Sequence, residues 1–254
     1  MNTAVKRVDH ANGLTEIVID RPERHNAMTL PMYEEMLGLI EECGEPGSGV
    51  RCILLRGTGG KSFISGTDIS YFADFTSGKQ GLEYEAFVER VIDAVERIAV
   101  PTVAVIDGWA VGGGLAIATA CDFRVCTEAT RFGAPIAKTL SNTLSSRNIA
   151  RLAAAFGVPR VKRMLMLAEF LSAEEALACG YVQQVCAATE LQDAALALAQ
   201  RLMDLSPVTQ QAAKESLRRI VVEQSLKDDD LIETVYGSRA FQDGVSAFIS
   251  RGSR

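Results

Sequence analysis

The stretch "GWAVGGGLAIATACDFRV", residues 108–125, decides how the fold is interpreted. Three consecutive glycines come directly before an apolar run, residues 115–123, in which the only charged residue is Asp122. Each glycine costs a helix about 1 kcal/mol relative to alanine, so three at a helix start need a reason. The first N–H groups of a helix have no partner inside it. The stretch therefore predicts a buried helix whose N-terminus either packs tightly or receives a ligand.

A second glycine-bearing loop, "FISGTDI" at residues 63–69, also enters a predicted helix. Neither loop has the spacing of a phosphate-binding motif in its proper context. Two N–H donors from two loops fit a single oxyanion, such as one formed from a thioester carbonyl. The structural alternative is that the glycines at 112–114 only permit close packing and that Asp68 caps a helix or pairs with a cation. Residue pattern alone leaves both readings open.

Outward from these loops, strands recur in pairs before each helix. The pattern predicts a hairpin from "AVKRVDH" and "LTEIVID" at 4–20, a helix over 32–43, a strand in "VRCILLRG" at 50–57 and a helix over 83–98. One buried strand is predicted in "TVAVIDGWAVGGG" at 102–114, and two short strands in residues 122–133. From about residue 145 the pattern is helical, apart from "YVQQVC" at 181–186. Paired strands of this kind predict an α/β fold with strands stacked in layers.

Composition narrows the class of protein. The chain has 254 residues, 48% of them hydrophobic, and a formal net charge of −6, which suits one large domain and argues against a nucleic-acid partner. Six cysteines without CxxC spacing indicate reduced thiols, and two histidines exclude a His-rich metal site. No signal peptide and no apolar run of about 20 residues is visible. We therefore expect a cytoplasmic protein with no metal and no membrane partner.

Several segments, in this order, resemble the crotonase superfamily, the enoyl-CoA hydratase/isomerase group. They include "RPERHNAM" at 21–28, the two glycine loops, "LSAEEALACGYVQQV" at 171–185 and "DGVSAFISR" at 243–251. The resemblance implies an α/β spiral of ββα turns with a helical C-terminal region, assembled as a homotrimer or a dimer of trimers. It divides the chain into a spiral core at 1–190, which holds the site, and a helical trimerisation region at 191–254.

The same resemblance implies a site for an acyl-CoA thioester, with coenzyme A present as part of the substrate and no separate cofactor. The thioester oxygen would lie between the backbone N–H groups of Thr67 and Gly113. An acidic chain needs local positive charge for the CoA phosphates. The residues implied to contact CoA are Arg24, Lys61, Ser65, Gly66, Asp68, Ile69 and Arg251, the last from the same or an adjacent subunit.

The sequence departs from the family at the two positions where its hydratases carry glutamates. These positions hold Ala116, in the helix after the glycines, and Ile136, in "FGAPI". Because a positioned acid or base contributes about 10²- to 10⁴-fold, efficient hydration by the usual route is not expected. Other groups that could orient water or act as acid or base are Ser141, Asn142, Ser145, Arg147 and Asn148 in "TLSNTLSSRN", together with Tyr71 and Asp74. Ser145 or Ser146 could equally cap a helix that begins near Asn148.

Three functions follow from this combination. The first is an acyl-CoA enzyme of the hydratase or isomerase type that stabilises a thioester enolate. The second keeps the oxyanion site for decarboxylation, thioester hydrolysis or isomerisation. The third is an acyl-CoA-binding protein that has lost the chemistry.

Overall fold

The computed structural model describes residues 4–252, with side chains for residues 4–250. Its strands are β1 (Val5–Asp9), β2 (Leu14–Ile19), β3 (Cys52–Gly57), β4 (Ser62–Ile64), β5 (Thr102–Ile106), β6 (Trp109–Val111), β7 (Phe123–Thr127), β8 (Arg131–Gly133), β9 (Leu171–Ser172) and β10 (Gln184–Cys186). Its helices are α1 (Leu30–Gly44), α2 (Gly78–Arg97), α3 (Gly113–Ala120), α4 (Ser146–Phe156), α5 (Val158–Met166), α6 (Ala173–Ala178), α7 (Leu191–Met203), α8 (Pro207–Arg218), α9 (Asp229–Tyr236) and α10 (Arg239–Gly252).

The strands alternate between two sheets. Within residues 4–252, the larger sheet has the order β1-β2-β3-β5-β7-β10 and the smaller sheet the order β4-β6-β8-β9. Each of β3, β5 and β7 in the larger sheet is followed by a strand of the smaller sheet and then by a helix, α2, α3 or α4. These three ββα turns confirm the predicted α/β spiral, and the predicted hairpin is present as the antiparallel pair β1 and β2.

Both faces of the larger sheet are covered. Side chains alternate along each strand, so Ile53 and Ile106 pack towards α1, α2 and α3, whereas Leu54 and Val105 pack towards α7. Helix α7 contributes a row of buried residues to that second face: Leu191, Ala195, Ala199, Leu202 and Met203. The predicted helical region therefore begins with a helix that is part of the core packing, and α9 and α10 after it are mostly exposed.

The single strand predicted over 102–114 is wrong, because it divides into β5 and β6 in different sheets. Gly108 makes the change of direction possible: its φ is +76°, and a Cβ there would lie 2.0 Å from the carbonyl oxygen of Lys61. Helix α2 begins at Gly78 rather than at residue 83, because Gln80 Oε1 accepts from Ser77 N at 3.1 Å and satisfies its first turn. At the end of the predicted helical region, α9 and α10 are separate helices, with Gly237 and Ser238 between them.

The cysteines are free thiols, as predicted. Five of them are buried, and burial raises the pKa of Cys52, Cys121 and Cys126 to about 12. No helix among residues 4–252 combines the length and the apolar character needed to cross a membrane.

Candidate active site

The two glycine-bearing loops lie side by side because their strands, β4 and β6, are parallel neighbours in the smaller sheet. A Cβ on Gly114 would lie 2.1 Å from the carbonyl oxygen of Ile64, which is closer than any side chain could come. A Cβ on Gly66, whose φ is +107°, would lie 3.3 Å from the carbonyl oxygen of Val111 and 3.9 Å from the nitrogen of Gly113. Glycine at 66 and 114 therefore brings the two backbones together.

The backbone N–H groups of Thr67 and Gly113 are free in this arrangement. Met28 N donates to Gly66 O and Met28 O accepts from Asp68 N, each at 2.8 Å. These two backbone hydrogen bonds involve the residues before and after Thr67, so the N–H of Thr67 itself stays unpaired. Gly113 is the first residue of α3, where the helix dipole favours negative charge. Among residues 4–252, neither N–H has a hydrogen-bond acceptor. Two unpaired donors on adjacent loops can hold one anionic oxygen.

A chain of three hydroxyl groups lies beside these donors. Thr67 Oγ1 is 3.0 Å from the hydroxyl of Tyr33 and 2.5 Å from that of Tyr84. The Tyr33 hydroxyl is also 2.7 Å from where a Cβ on Gly113 would lie. Burial raises the pKa of Tyr33 and raises that of Tyr84 to about 12, so both phenols keep their protons. Three hydroxyl protons serve two hydrogen bonds, which leaves one proton to donate elsewhere.

Asp68 holds the first loop to the "RPERHNAM" segment. Its carboxylate accepts from Arg21 Nη1 at 2.7 Å and from Ser70 Oγ at 2.8 Å. The hydrogen bond from Arg21, followed by those from Ser70, lowers the pKa of Asp68 to about 2. The cap and ion-pair reading of Asp68 therefore describes its side chain, and Arg21 is a loop-positioning residue that the sequence did not single out.

The residues implied to contact CoA flank this loop. Asn26 joins their segments, because its side-chain amide donates to Thr58 O at 3.0 Å and to Ser62 O at 2.7 Å. The side chains of Arg24 and Lys61 are exposed, without a partner among the described residues. Around the loop, Ile69 is exposed, Ser65 and Asp68 are partly buried, and Gly66 is buried. Arg251 falls on α10, but its side chain lies outside the described ones.

The two positions at which the resemblance implies glutamates, Ala116 and Ile136, carry apolar side chains. Ala116 lies in α3, where it is 2% exposed and its N–H donates to Gly112 O at 3.0 Å. Ile136 is half-buried at the start of a turn in which its carbonyl accepts from Leu140 and Ser141. Neither position offers a group that could take or give a proton.

The segment over 139–148 caps a helix. Ser145 is the N-cap of α4, and its Oγ accepts from Asn148 N at 3.2 Å. Asn148 is buried and accepts from Arg151, which places it in the packing between helices. Three of the predicted polar residues are exposed: Ser141, Asn142 and Arg147. Tyr71, which is 37% exposed, joins an aromatic cluster with Phe72, Phe75 and Tyr84, and Asp74 is exposed.

Sequence reasoning missed a row of carboxylates on α2, although its spacing is visible in the sequence. The row consists of Glu85, Glu89, Asp93 and Glu96. Residues three or four apart share a helix face, so this row predicts a charged face that needs a partner. The cationic partner of the last three carboxylates is Arg151 on α4, which the sequence cannot place there.

The two sheets and the pair of unpaired backbone donors define a ββα spiral in which two adjacent loops each present a free N–H group. The chain belongs to the enoyl-CoA hydratase/isomerase family, whose sequence model matches residues 9–253. A short-chain-enoyl-CoA hydratase of Clostridium acetobutylicum is 28% identical over 239 residues, covering 92% of this chain and 90% of that protein. A probable enoyl-CoA hydratase of Mycobacterium tuberculosis is 34% identical over 219 residues, covering 85% of this chain and 81% of that protein.

Solved structures agree with this assignment. A crystal structure of enoyl-CoA hydratase from Bacillus anthracis superposes with a TM-score of 0.85 at 25% identity, covering 98% of this chain and 96% of that one. An enoyl-CoA hydratase/carnithine racemase from Magnetospirillum magneticum gives a TM-score of 0.87 at 25% identity, with coverage of 98% and 93%. The similarity therefore extends through the helical C-terminal region.

Proposed function

We propose that this protein is an enzyme that acts on an acyl-CoA thioester and stabilises its enolate. The observation that carries the proposal is the pair of free N–H groups on Thr67 and Gly113. A thioester carbonyl bound between them gains negative charge when a proton leaves Cα, and both donors then bind the oxygen more strongly. One such donor contributes about 10²- to 10³-fold to a rate.

The CoA moiety lies, in this proposal, along the segments on either side of the first loop. Arg24 and Lys61 have free cationic side chains suited to its phosphates, and Arg251 supplies a third positive charge from the C-terminal helix. Ser65, Gly66, Asp68 and Ile69 line the path towards the thioester. The Arg21–Asp68 ion pair supports this path by fixing the loop to the "RPERHNAM" segment.

Ala116 and Ile136 favour a reaction other than ordinary hydration, because both are apolar where the family's hydratases would need carboxylates. Decarboxylation, thioester hydrolysis and isomerisation also pass through a charged thioester oxygen and need fewer acid or base groups. A non-catalytic acyl-CoA-binding protein would keep the same oxyanion contact. Restoring both carboxylates, by Ala116→Glu with Ile136→Glu, should create or increase crotonyl-CoA hydration if the site is otherwise intact.

A proline at position 67 tests the proposal directly. Thr67→Pro removes the free N–H while Met28 keeps its bonds to the neighbours. Thr67→Ser is the matched control, since it keeps both the N–H and the hydroxyl. We expect Thr67→Pro to lower turnover of an active enoyl-CoA by about 10²-fold or more and the control to lower it little. Equal rates in a folded Thr67→Pro variant would refute the oxyanion role. Tight CoA-ester binding with no turnover across malonyl-, aryl- and enoyl-CoA esters would establish the binding protein instead.

We further propose, from family membership, a cytoplasmic homotrimer or dimer of trimers with a spiral core at 1–190 and a trimerisation region at 191–254. The exposed apolar side chains of α9 and α10 support this assembly, because a neighbouring subunit would cover them.

A further inference from the structure

The carboxylates on α2 fall into two groups according to their partners. Glu89 and Glu96 accept from Arg151 at 2.7 Å and 2.8 Å, and the Arg151 side chain is 3% exposed. Asp93 lies 3.7 Å from Arg151 and accepts from Arg97 at 2.6 Å. Each of these three carboxylates is therefore neutralised by a cation, as buried acids in structural roles are.

Glu85 is the exception. Its Oε2 accepts from Ser145 N at 2.9 Å, and among residues 4–250 it has no cationic partner and its Oε1 has no hydrogen-bond donor. Burial raises the pKa of Glu85, and the nearby negative charge of Glu89 raises it further. A half-buried acid without a cation costs stability at neutral pH, and groups of this kind concentrate at functional sites.

The position of Glu85 connects it to the oxyanion loops. It follows Tyr84, whose hydroxyl is 2.5 Å from Thr67 Oγ1, and its negative charge raises the pKa of both Tyr84 and Tyr33. The Tyr33 hydroxyl in turn lies beside Gly113, 2.7 Å from where a Cβ on that residue would be. Glu85 therefore follows directly on a tyrosine that contacts the first loop, and its charge acts on both tyrosines beside the two donors.

We propose that Glu85 is the catalytic residue that moves protons on the acyl chain of the bound thioester, an inference that rests on the proposed function. Glu85 Oε1 takes a proton from Cα, the C–H electron pair forms the carbon–carbon double bond of the enolate, and the negative charge passes to the thioester oxygen. The N–H groups of Thr67 and Gly113 hold that oxygen.

The proton on Glu85 has two destinations. Returned to Cα, it restores the substrate. Returned to Cγ of a 3-enoyl thioester, it moves the double bond to the 2-position, and Glu85 is again a carboxylate. No water is added and one carboxylate suffices, so the arrangement selects 3-enoyl-CoA isomerisation among the reactions open to this site.

Exchange of the Cα proton of butyryl-CoA in D2O, followed by NMR, tests the proton-transfer step without requiring a full reaction. We expect exchange with the unmodified protein and a loss of at least about 10²-fold with Glu85→Gln, which keeps the acceptor for Ser145 N. Glu83→Gln is the matched control on the same helix, because Glu83 is exposed and only approaches Lys79, at 3.8 Å. It should exchange at the unmodified rate.

Three further readouts separate catalysis from a structural role. Thermal unfolding of Glu85→Gln should be unchanged or shifted upward, whereas a structural carboxylate would give a downward shift. The exchange rate should rise with pH through a pKa above the ordinary glutamate value, in a setting that also contains Glu89, Tyr84, Tyr33 and Arg151. This pH dependence should disappear in Glu85→Gln. If Glu85→Gln does not fold, Glu85→Asp replaces it in the test. This variant should keep the pH dependence, and its exchange rate should fall by no more than about 10-fold.

The outcomes distinguish this inference from the function on which it rests. Full exchange by a folded Glu85→Gln variant overturns the role of Glu85 and leaves the oxyanion site standing. Failure of the unmodified protein to bind butyryl-CoA, measured by calorimetry, overturns the proposed function itself. Binding by the unmodified protein without any exchange also overturns the role of Glu85.

Discussion

Gly114 shows at the scale of one residue why a helix begins on three glycines. A Cβ at this position would lie 2.1 Å from the backbone oxygen of Ile64, which cannot rotate away. We expect Gly114→Ala to lower the free energy of unfolding in urea by about 1–3 kcal/mol. Gly38→Ala in α1 is the control, with nothing within 4 Å of its Cβ, and should raise that free energy by about 0.5–1 kcal/mol. Similar effects of the two substitutions would contradict the close approach of the loops.

Asp68 predicts a pH dependence of stability. Because its folded-state pKa is lowered to about 2, its contribution to folding is present above the unfolded-state value of about 3.9 and is lost as the pH falls towards 2. We expect Asp68→Asn to be less stable than the unmodified protein at pH 7, with the difference shrinking below about pH 4. Urea unfolding at pH 7, 4 and 3 measures it, with the exposed Asp74→Asn as control. If the stability difference between Asp68→Asn and the unmodified protein stays constant with pH, the Arg21–Asp68 ion pair is not its source.

Some residues of the candidate site could be predicted from the sequence and others could not. Thr67 and Gly113 were placed by motif, and the structure leaves the N–H groups at those positions unpaired. The position of the Tyr33 and Tyr84 hydroxyls is not visible in the sequence, since residue spacing does not tell where a hydroxyl group lies. Both side chains are buried, and both hydroxyls contact Thr67. Glu85 could not be found, because its lack of a cation is visible only once α4 is packed against α2.

At the scale of elements, Arg151 joins α2 to α4. Replacing it by leucine leaves the half-buried Glu89 and Glu96 without a cation, so we expect Arg151→Leu to cost about 3–5 kcal/mol of unfolding free energy in urea. Arg147→Leu on the same helix is the control, because that side chain is exposed, and should change stability by less than about 0.5 kcal/mol. A loss below about 1 kcal/mol for Arg151→Leu would show that the carboxylates are solvated.

The elements themselves were largely predictable, and their exceptions have a common cause. The hairpin, α1 and the short strands β7 and β8 follow from local periodicity and turn residues. The division of β5 from β6 does not, because apolar residues continue on both sides of Asp107 and Gly108. What turns the chain there is the backbone of Lys61, which is distant in sequence. Periodicity reports burial, and it does not report which sheet a strand joins.

At the scale of the whole molecule, the C-terminal helices expose large apolar side chains. Phe248 is 81% exposed and Tyr236 62%, and Leu226, in the segment just before α9, is 82% exposed, which is typical of a surface that another chain covers. We expect sedimentation to give the mass of a trimer or hexamer, and Phe248→Asp to shift the population to smaller species. Glu83→Gln, far from these helices in sequence, serves as the control. A monomer at micromolar concentration would contradict the assembly.

The order of elements along the whole chain was predictable, because strands recur in pairs before each helix. This pattern also predicted that the strands stack in layers, and the structure has two sheets. The core packing of α7 was not foreseen, because its apolar stripe predicts a buried face without saying what buries it.

The proposed function depends on hydrogen bonds from the N–H groups of Thr67 and Gly113 that polarise a bound thioester carbonyl. Difference infrared spectroscopy of crotonyl-CoA labelled with 13C at the carbonyl measures this directly, because stronger hydrogen bonds lower the carbonyl stretching frequency. We predict a lower frequency on binding to the unmodified protein and to Thr67→Ser, and a smaller shift with Thr67→Pro. An unshifted carbonyl frequency in the bound complex, or the same shift with Thr67→Pro, would contradict polarisation of the thioester by these N–H groups.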